Sequence, residues 1–252
     1  MTFVYGKFRN SDVKLSATFQ NIHLLSRELL GGRLCVAGGA MRRVFGFVPD
    51  TKGSLSSFDI DIFVIGPPPT WAETKEINRT LRERLSMVFP GVDTMQKNSA
   101  GSLTEYWCYD QPKIALNVVA YGAKADMMPS RNAVARYQFI ADRSFASWEA
   151  LLRDFDFTMC AAVTNGDDWC AHSDFFRDNN ELRLRMIDPR WASRNPSRYR
   201  WRLSKYAGKY GAMPSRETFR KTFFLDDTDR VAEQLMVNVA NEARSNGNLS
   251  SW

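Results

Sequence analysis

The chain has few residues that cross-link or ligate soft metals: four cysteines and two histidines in 252 residues. Cys35, Cys108, Cys160 and Cys170 stand far apart, none in a C-x-x-C pair, and only His23 and His172 could join them around zinc. That spacing argues against a zinc module and a small disulfide scaffold, and points to a reducing, cytoplasmic setting. Cys35 and Cys160 lie in apolar runs and are expected to be small core residues. No apolar run reaches the ~18 residues a membrane helix needs, so no membrane partner is expected. The first residues, Met1 to Lys7, lack the pattern of a signal peptide. Internal repeats and low-complexity segments are also missing, which argues against a solenoid or a disordered tail.

What is present is a globular composition. Hydrophobic residues make up 44% and aromatics 13%, and 252 residues can bury a sizeable core. The net charge of +6 is unevenly spread. Residues 177–221 hold 13 Lys/Arg against 4 Asp/Glu, so this block carries +9 and the rest of the chain −3. Such a block suits a polyanion surface, although a charge run can also be a solvated helix face.

Hydrophobic periodicity predicts a helix over residues 12–30 and a strand at 33–37. A turn follows at Gly38-Gly39, then a short helix over 40–45 and a loop over 46–57. A second strand is expected at 58–65 and an amphipathic helix over 71–89. Residues 103–109 and 113–121 look like paired strands, with another at 136–141. A helix is expected at 146–153, a strand at 155–163 and a hairpin joining 169–176 to 181–187. From Pro196 the pattern is helical. Strands dominate early and helices late, so the expected class is α+β: a mixed-sheet head over 1–190, then a short basic helical extension over 191–252.

The chemistry centres on Phe58-Asp59-Ile60-Asp61-Ile62-Phe63. Strand side chains alternate, so Asp59 and Asp61 share one face while Phe58, Ile60 and Ile62 take the other. Two carboxylates that close repel unless a cation lies between them. Hard oxygen donors at this spacing suit Mg²⁺, which takes one or two carboxylates together with substrate phosphates. Upstream, Gly38-Gly39 let the backbone approach a phosphate chain closely. The two features together suggest two-metal phosphoryl transfer. Asp156, set between Phe155 and Phe157, is the candidate third carboxylate, because burying a lone acid needs a reason. Asp154 and Asn117 are weaker candidates.

These residues resemble the nucleotidyltransferase superfamily that includes DNA polymerase β. The chain is most similar to the bacterial poly(A) polymerase and CCA-adding tRNA nucleotidyltransferase group. Gly38-Gly39-Ala40-Met41-Arg42 resembles that group's Gly-Gly-x-Val-Arg-Asp, with Arg43 in place of the last acid, and Asp59-Ile60-Asp61 matches its metal-binding Asp-x-Asp. Asp156-Phe157-Thr158-Met159-Cys160-Ala161 is similar to the end of Arg-Arg-Asp-Phe-Thr-Ile-Asn-Ala, with Asp154 and Phe155 where the arginines stand. Asn195-Pro196-Ser197-Arg198 resembles the nucleotide-selecting Asp-Pro-x-Arg, and Arg194-Asn195 replace its base-reading Glu-Asp pair.

The resemblance implies a template-independent enzyme that moves a nucleoside monophosphate from an NTP to a hydroxyl with two Mg²⁺ ions and releases pyrophosphate. It implies Asp59, Asp61 and Asp156 as catalytic and metal-binding residues. Gly38, Gly39, Arg42, Asn195 and Arg198 would bind the nucleotide. RNA is the favoured acceptor, with a tRNA 3′ end among the candidates. A protein acceptor is the alternative, and a degenerate fold used for binding or assembly is a third reading. About 40 residues follow the motifs, fewer than the long helical body of the CCA-adding enzymes, so RNA would be held by this extension, a partner protein or a second copy. Within the last helix, positions 198, 202, 205 and 209 are all basic and share one face. Arg202, Lys205 and Lys209 are therefore expected to form, with Arg198, one exposed stripe for RNA phosphates. The tyrosines beside them and Trp201 are expected to pack inward in preference to stacking on a nucleotide, which is the alternative for such aromatics beside a basic stripe.

Overall fold

The computed structural model describes residues 1–8, 33–47, 59–109, 135–188, 196–215 and 217–218. The predicted helix over 12–30, the strand at 113–121 and Asn195 lie outside these residues. Two compact units divide the chain. One comprises Met1–Tyr5, Glu149–Ala162 and Cys170–Trp252, the other Gly6–Trp148 and Val163–Trp169.

The second unit is built on an eight-stranded mixed sheet. Its strands are β1 (Phe3–Lys7), β2 (Leu34–Ala37), β3 (Asp59–Ile65), β4 (Gly91–Gln96), β5 (Leu103–Tyr109), β6 (Ala135–Phe145), β7 (Ala162–Thr164) and β8 (Asp168–His172). Their order is β1-β8-β7-β2-β3-β6-β5-β4, with β1, β7 and β8 only partly in this unit. β2 is an unbroken apolar run buried at every position, as a central strand should be. It runs antiparallel to β3, with Ala37 opposite Asp61. β3 pairs in parallel with β6, and β6 antiparallel with β5.

Gly38 turns the chain out of β2 with φ +83°, a conformation that favours glycine, and α1 (Ala40–Val44) follows. Gly66, φ +93°, ends β3 in the same way. α2 (Trp71–Val88) starts at a reciprocal cap: Glu73 N–H donates to the Thr70 hydroxyl at 3.2 Å, and Thr70 N–H donates to the Glu73 carboxylate at 2.7 Å. Ile77, Leu81 and Leu85 form its buried stripe. Tyr106 reaches this helix, its hydroxyl donating to the Asn78 side chain. Tyr106, Tyr137 and Phe139 are fully buried. One face of β3-β6-β5 is thus apolar, and the alternation leaves the other polar.

The first unit holds α3 (Trp148–Arg153, apart from Trp148), α4 (Phe175–Asn180), β9 (Arg183–Leu184), α5 (Pro196–Tyr210) and β10 (Met213–Pro214). Its core joins Phe157, Met159, Cys160, Leu184 and Met186 to Tyr199, Leu203, Ala207 and Ala212. Two expectations fail in this unit. The apolar run 155–163 is not one strand: Asp156 lies in a bend, Phe157 bridges to Met186, and Thr158–Cys160 is a 3₁₀ turn before β7 begins. The hairpin across residues 178–180 is also absent. Residues 175–180 are α4, and β9 pairs in parallel with β10. Asp178 explains both, since its fully buried carboxylate accepts from the Thr158 hydroxyl and from Arg185 Nε at 3.1 Å. Asn179 adds a donor to Met159 O at 3.0 Å, so helix α4 clamps the 3₁₀ turn.

Candidate active site

The polar face of the sheet carries the predicted aspartates. Asp59 and Asp61 stand two residues apart on β3, both partly exposed. Register sets their neighbours. Asp59 lies beside Arg136 on β6, which in turn faces Trp107 on β5; Asp61 lies beside Gln138, which faces Glu105. Two polar rows therefore cross three strands.

Arg136 occupies the position a cation would take. Its Nε donates to Asp59 Oδ1 at 2.7 Å and its Nη2 pairs with Oδ2, a bidentate contact. Its guanidinium carbon lies 4.9 Å from the Trp107 ring centroid, within cation–π range. Burial opposes its charge, but Asp59, Glu105 and Asp61 together outweigh burial and raise its pKa. Glu105 is nearly buried, accepts from Gln138 Nε2 at 3.3 Å and pairs with Lys97 at 3.3 Å.

Sequence reasoning missed Arg136, Gln138, Glu105 and Trp107. A signal was available in the alternation Ala135, Tyr137, Phe139 buried against Arg136, Gln138 half-exposed. It placed polar residues on one face of a predicted strand but did not say which strand lay beside them.

Gly38 and Gly39 sit at the end of β2, immediately after Ala37, the residue opposite Asp61. Arg42 is only 2% exposed, so it is a buried guanidinium and not a surface arginine.

In the other unit, Asp156 is paired with Arg202 Nη2. Burial raises the Asp156 pKa, against the opposing pull of Arg202 and Arg198. This pairing corrects the expected stripe. Arg198, Lys205 and Lys209 are exposed on α5 as anticipated, but Arg202 is turned toward Asp156 and Tyr206, with 22% side-chain exposure. Tyr199 is buried in the core and Tyr206 and Tyr210 pack against it as expected, whereas Trp201 is 59% exposed with Lys205 Nζ 5.1 Å from its ring centroid.

Among the described residues, no three His, Cys, Asp or Glu side chains gather into a ready metal cage. Two hard carboxylates from one strand still fit Mg²⁺, whose coordination is completed by substrate phosphates and water, provided Asp59 exchanges Arg136 for the ion. Among the described residues, no helix is long and apolar enough to cross a membrane.

The fold is shared with solved CCA-adding and tRNA nucleotidyltransferase structures. The chain is similar to a CCA-adding enzyme solved with CTP, at 15% identity and TM-score 0.53 over 96% of this chain and 51% of that one. It is similar to a tRNA nucleotidyltransferase solved with a primer tRNA and an incoming ATP analogue, at 16% identity and TM-score 0.50 over 89% and 61%. A tRNA-processing enzyme in an apo form gives 14% identity and TM-score 0.54 over 95% and 59%. The chain thus spans a little over half the length of these structures. No curated protein sequence matches it. A family model matches residues 9–182, and the chain belongs to that family, Gabija anti-defense 2.

Proposed function

We propose that the protein is a nucleotidyltransferase that moves a nucleoside monophosphate from an NTP to an acceptor hydroxyl, and that this transfer serves the anti-defense role named in its family's description. The observation that carries this reading is the pair Asp59 and Asp61 on one face of β3, with the Gly38-Gly39 turn at the end of the neighbouring strand. Two Mg²⁺ ions bound there would polarise the α-phosphate, favour ionisation of the acceptor hydroxyl and neutralise the leaving pyrophosphate. Asp59 and Asp61 would hold them, with Asp156 as the third carboxylate. Backbone N–H groups of the glycine turn would orient the triphosphate, with Asn195 and Arg198 on the base and sugar, while Arg42, buried at 2% exposure, would support the turn from within rather than touch the phosphates.

RNA is the favoured acceptor, tRNA included, because Arg198, Lys205, Lys209 and the exposed Trp201 offer charge and a stacking face on one helix. Residues 1–190 would form the catalytic head and 191–252 the acceptor-holding extension. The test is incubation with each labelled NTP, Mg²⁺ and total RNA. We expect label in RNA, lost in Asp59→Ala and Asp61→Ala with the fold intact. Label in protein instead would move the acceptor class, and full activity in both variants would refute the site.

A second reading is a fold that binds nucleotide or RNA without transferring anything. The bidentate Arg136–Asp59 pair favours it, since an arginine already sits on a proposed metal ligand. It predicts metal-independent nucleotide binding and no label transfer.

A further inference from the structure

We propose that Arg136 is an exchangeable counter-ion that makes metal binding at Asp59 depend on a nucleoside triphosphate. The proposal rests on the nucleotidyltransferase reading of the same site. The Nε and Nη2 groups on one guanidinium edge of Arg136 are the ones a metal must displace, because they cover both carboxylate oxygens of Asp59. A bare divalent ion must therefore separate a fork-shaped, partly desolvated pair before it gains either oxygen. A metal arriving with a triphosphate meets a different balance. Phosphate oxygens accept the same two-pronged N–H pattern that Asp59 gives up, so the guanidinium exchanges one anion for another.

The surroundings of Arg136 suit such an exchange. Its ring contact with Trp107 does not involve Asp59, so the guanidinium keeps one partner after release. Its side chain is 29% exposed, and that of Asp59 is 32% exposed, which leaves access from solvent. Asp61 and Glu105 also hold its positive charge in this position. Register places Arg136 directly beside Asp59, on the side of β3 away from β2 and its glycine turn. A phosphate chain held between the glycine turn and Arg136 would thus lie across the aspartate pair. Arg136 is in this sense a positioning residue, and its consequence is ordered loading: metal alone binds weakly, and metal with nucleotide binds well.

The test measures Mn²⁺ binding to the full chain by electron paramagnetic resonance, with and without an α,β-methylene ATP analogue. In Arg136→Gln we expect Mn²⁺ alone to bind about tenfold tighter than in wild type, and the analogue to strengthen Mn²⁺ binding much less. Arg136→Lys, which keeps charge but not the fork, should fall between them. Asp59→Asn leaves Arg136 intact and frees it, so the metal-free analogue should bind severalfold tighter there; this arm decides the matter if Arg136→Gln does not fold. Affinities for Mn²⁺ alone within about twofold of wild type, with unchanged coupling to the analogue, overturn the proposal while leaving the enzyme reading intact. A folded wild type that takes up no Mn²⁺ even with the analogue overturns both.

Discussion

At the scale of single residues, the aspartate pair was legible because a two-residue period inside an apolar run has one geometric meaning. Arg136 was not, because its partner lies 77 residues away and only parallel register brings them together. Asp156 was legible as an acid that needs a partner, but not as one paired with Arg202. Its raised pKa, caused first by burial, has a testable sign. The native state holds the proton more tightly than the unfolded chain, so Asp156's contribution to stability falls as pH rises from the ordinary carboxylate value through the raised one. Thermal melts across that range should lose this slope in Asp156→Asn.

His172 has the opposite sign. Burial lowers its pKa despite nearby Asp174 and Asp178, and its Nδ1 accepts the Asp174 N–H at 3.1 Å, which requires the neutral ring. Its contribution is fully present above the unfolded-state value of about 6.5 and is lost as pH falls through the depressed native value. Replacing it with Gln should flatten the acid side of the melting profile, as measured by circular dichroism.

Among the elements, α2 over Trp71–Val88 matched its amphipathic pattern closely, and α5 began at Pro196 as expected but ended at Tyr210, with Met213–Pro214 a strand and not a continuation of the helix. The largely apolar run 155–163 did not reveal its form, because a short apolar run carries no period that separates strand from turn. Side-chain hydrogen bonds from α4 decided it, and nothing local to 155–163 encodes them. β4 escaped notice because an edge strand with Asp93 and Thr94 shows little apolar alternation.

α5 has two faces and each predicts a different outcome. Leu203, 1% exposed in the core, should cost about 2–5 kcal/mol on change to Ala, seen in urea unfolding. Neutralising exposed Lys205 and Lys209 should leave that stability within about 0.5 kcal/mol. It should weaken RNA binding and flatten its salt dependence by roughly one log–log unit for each phosphate no longer neutralised. The choice of NTP should not change, because phosphate contacts carry no base information. RNA affinity that is unchanged across a salt series would make this face a merely solvated one.

On the scale of the whole molecule, the α+β class was legible from the order of strands and helices, and the likeness to the fold of CCA-adding enzymes from four short motifs in the right succession. The two compact units were not, since each gathers segments distant in sequence. If the site binds nucleotide with metal, ligand at a hundred times its Kd should add about 2.7 kcal/mol to global stability. Asp59→Asn should gain far less from the same mixture of metal and nucleotide, a difference readable as a smaller rise in Tm.

The pairing of β3 with β6 also sets a clock. Asp59 leaves the ribosome 77 residues ahead of its counter-ion, and at about 5–20 residues per second the gap lasts roughly 4–15 s. For that interval the aspartate strand has β2 to pair with on one side and nothing on the other, an open edge with bare charges. Parallel pairing over such a separation is intrinsically late and slow. The site is therefore completed only when β6 has emerged, and a nascent chain stalled before residue 136 would carry both aspartates without their arginine.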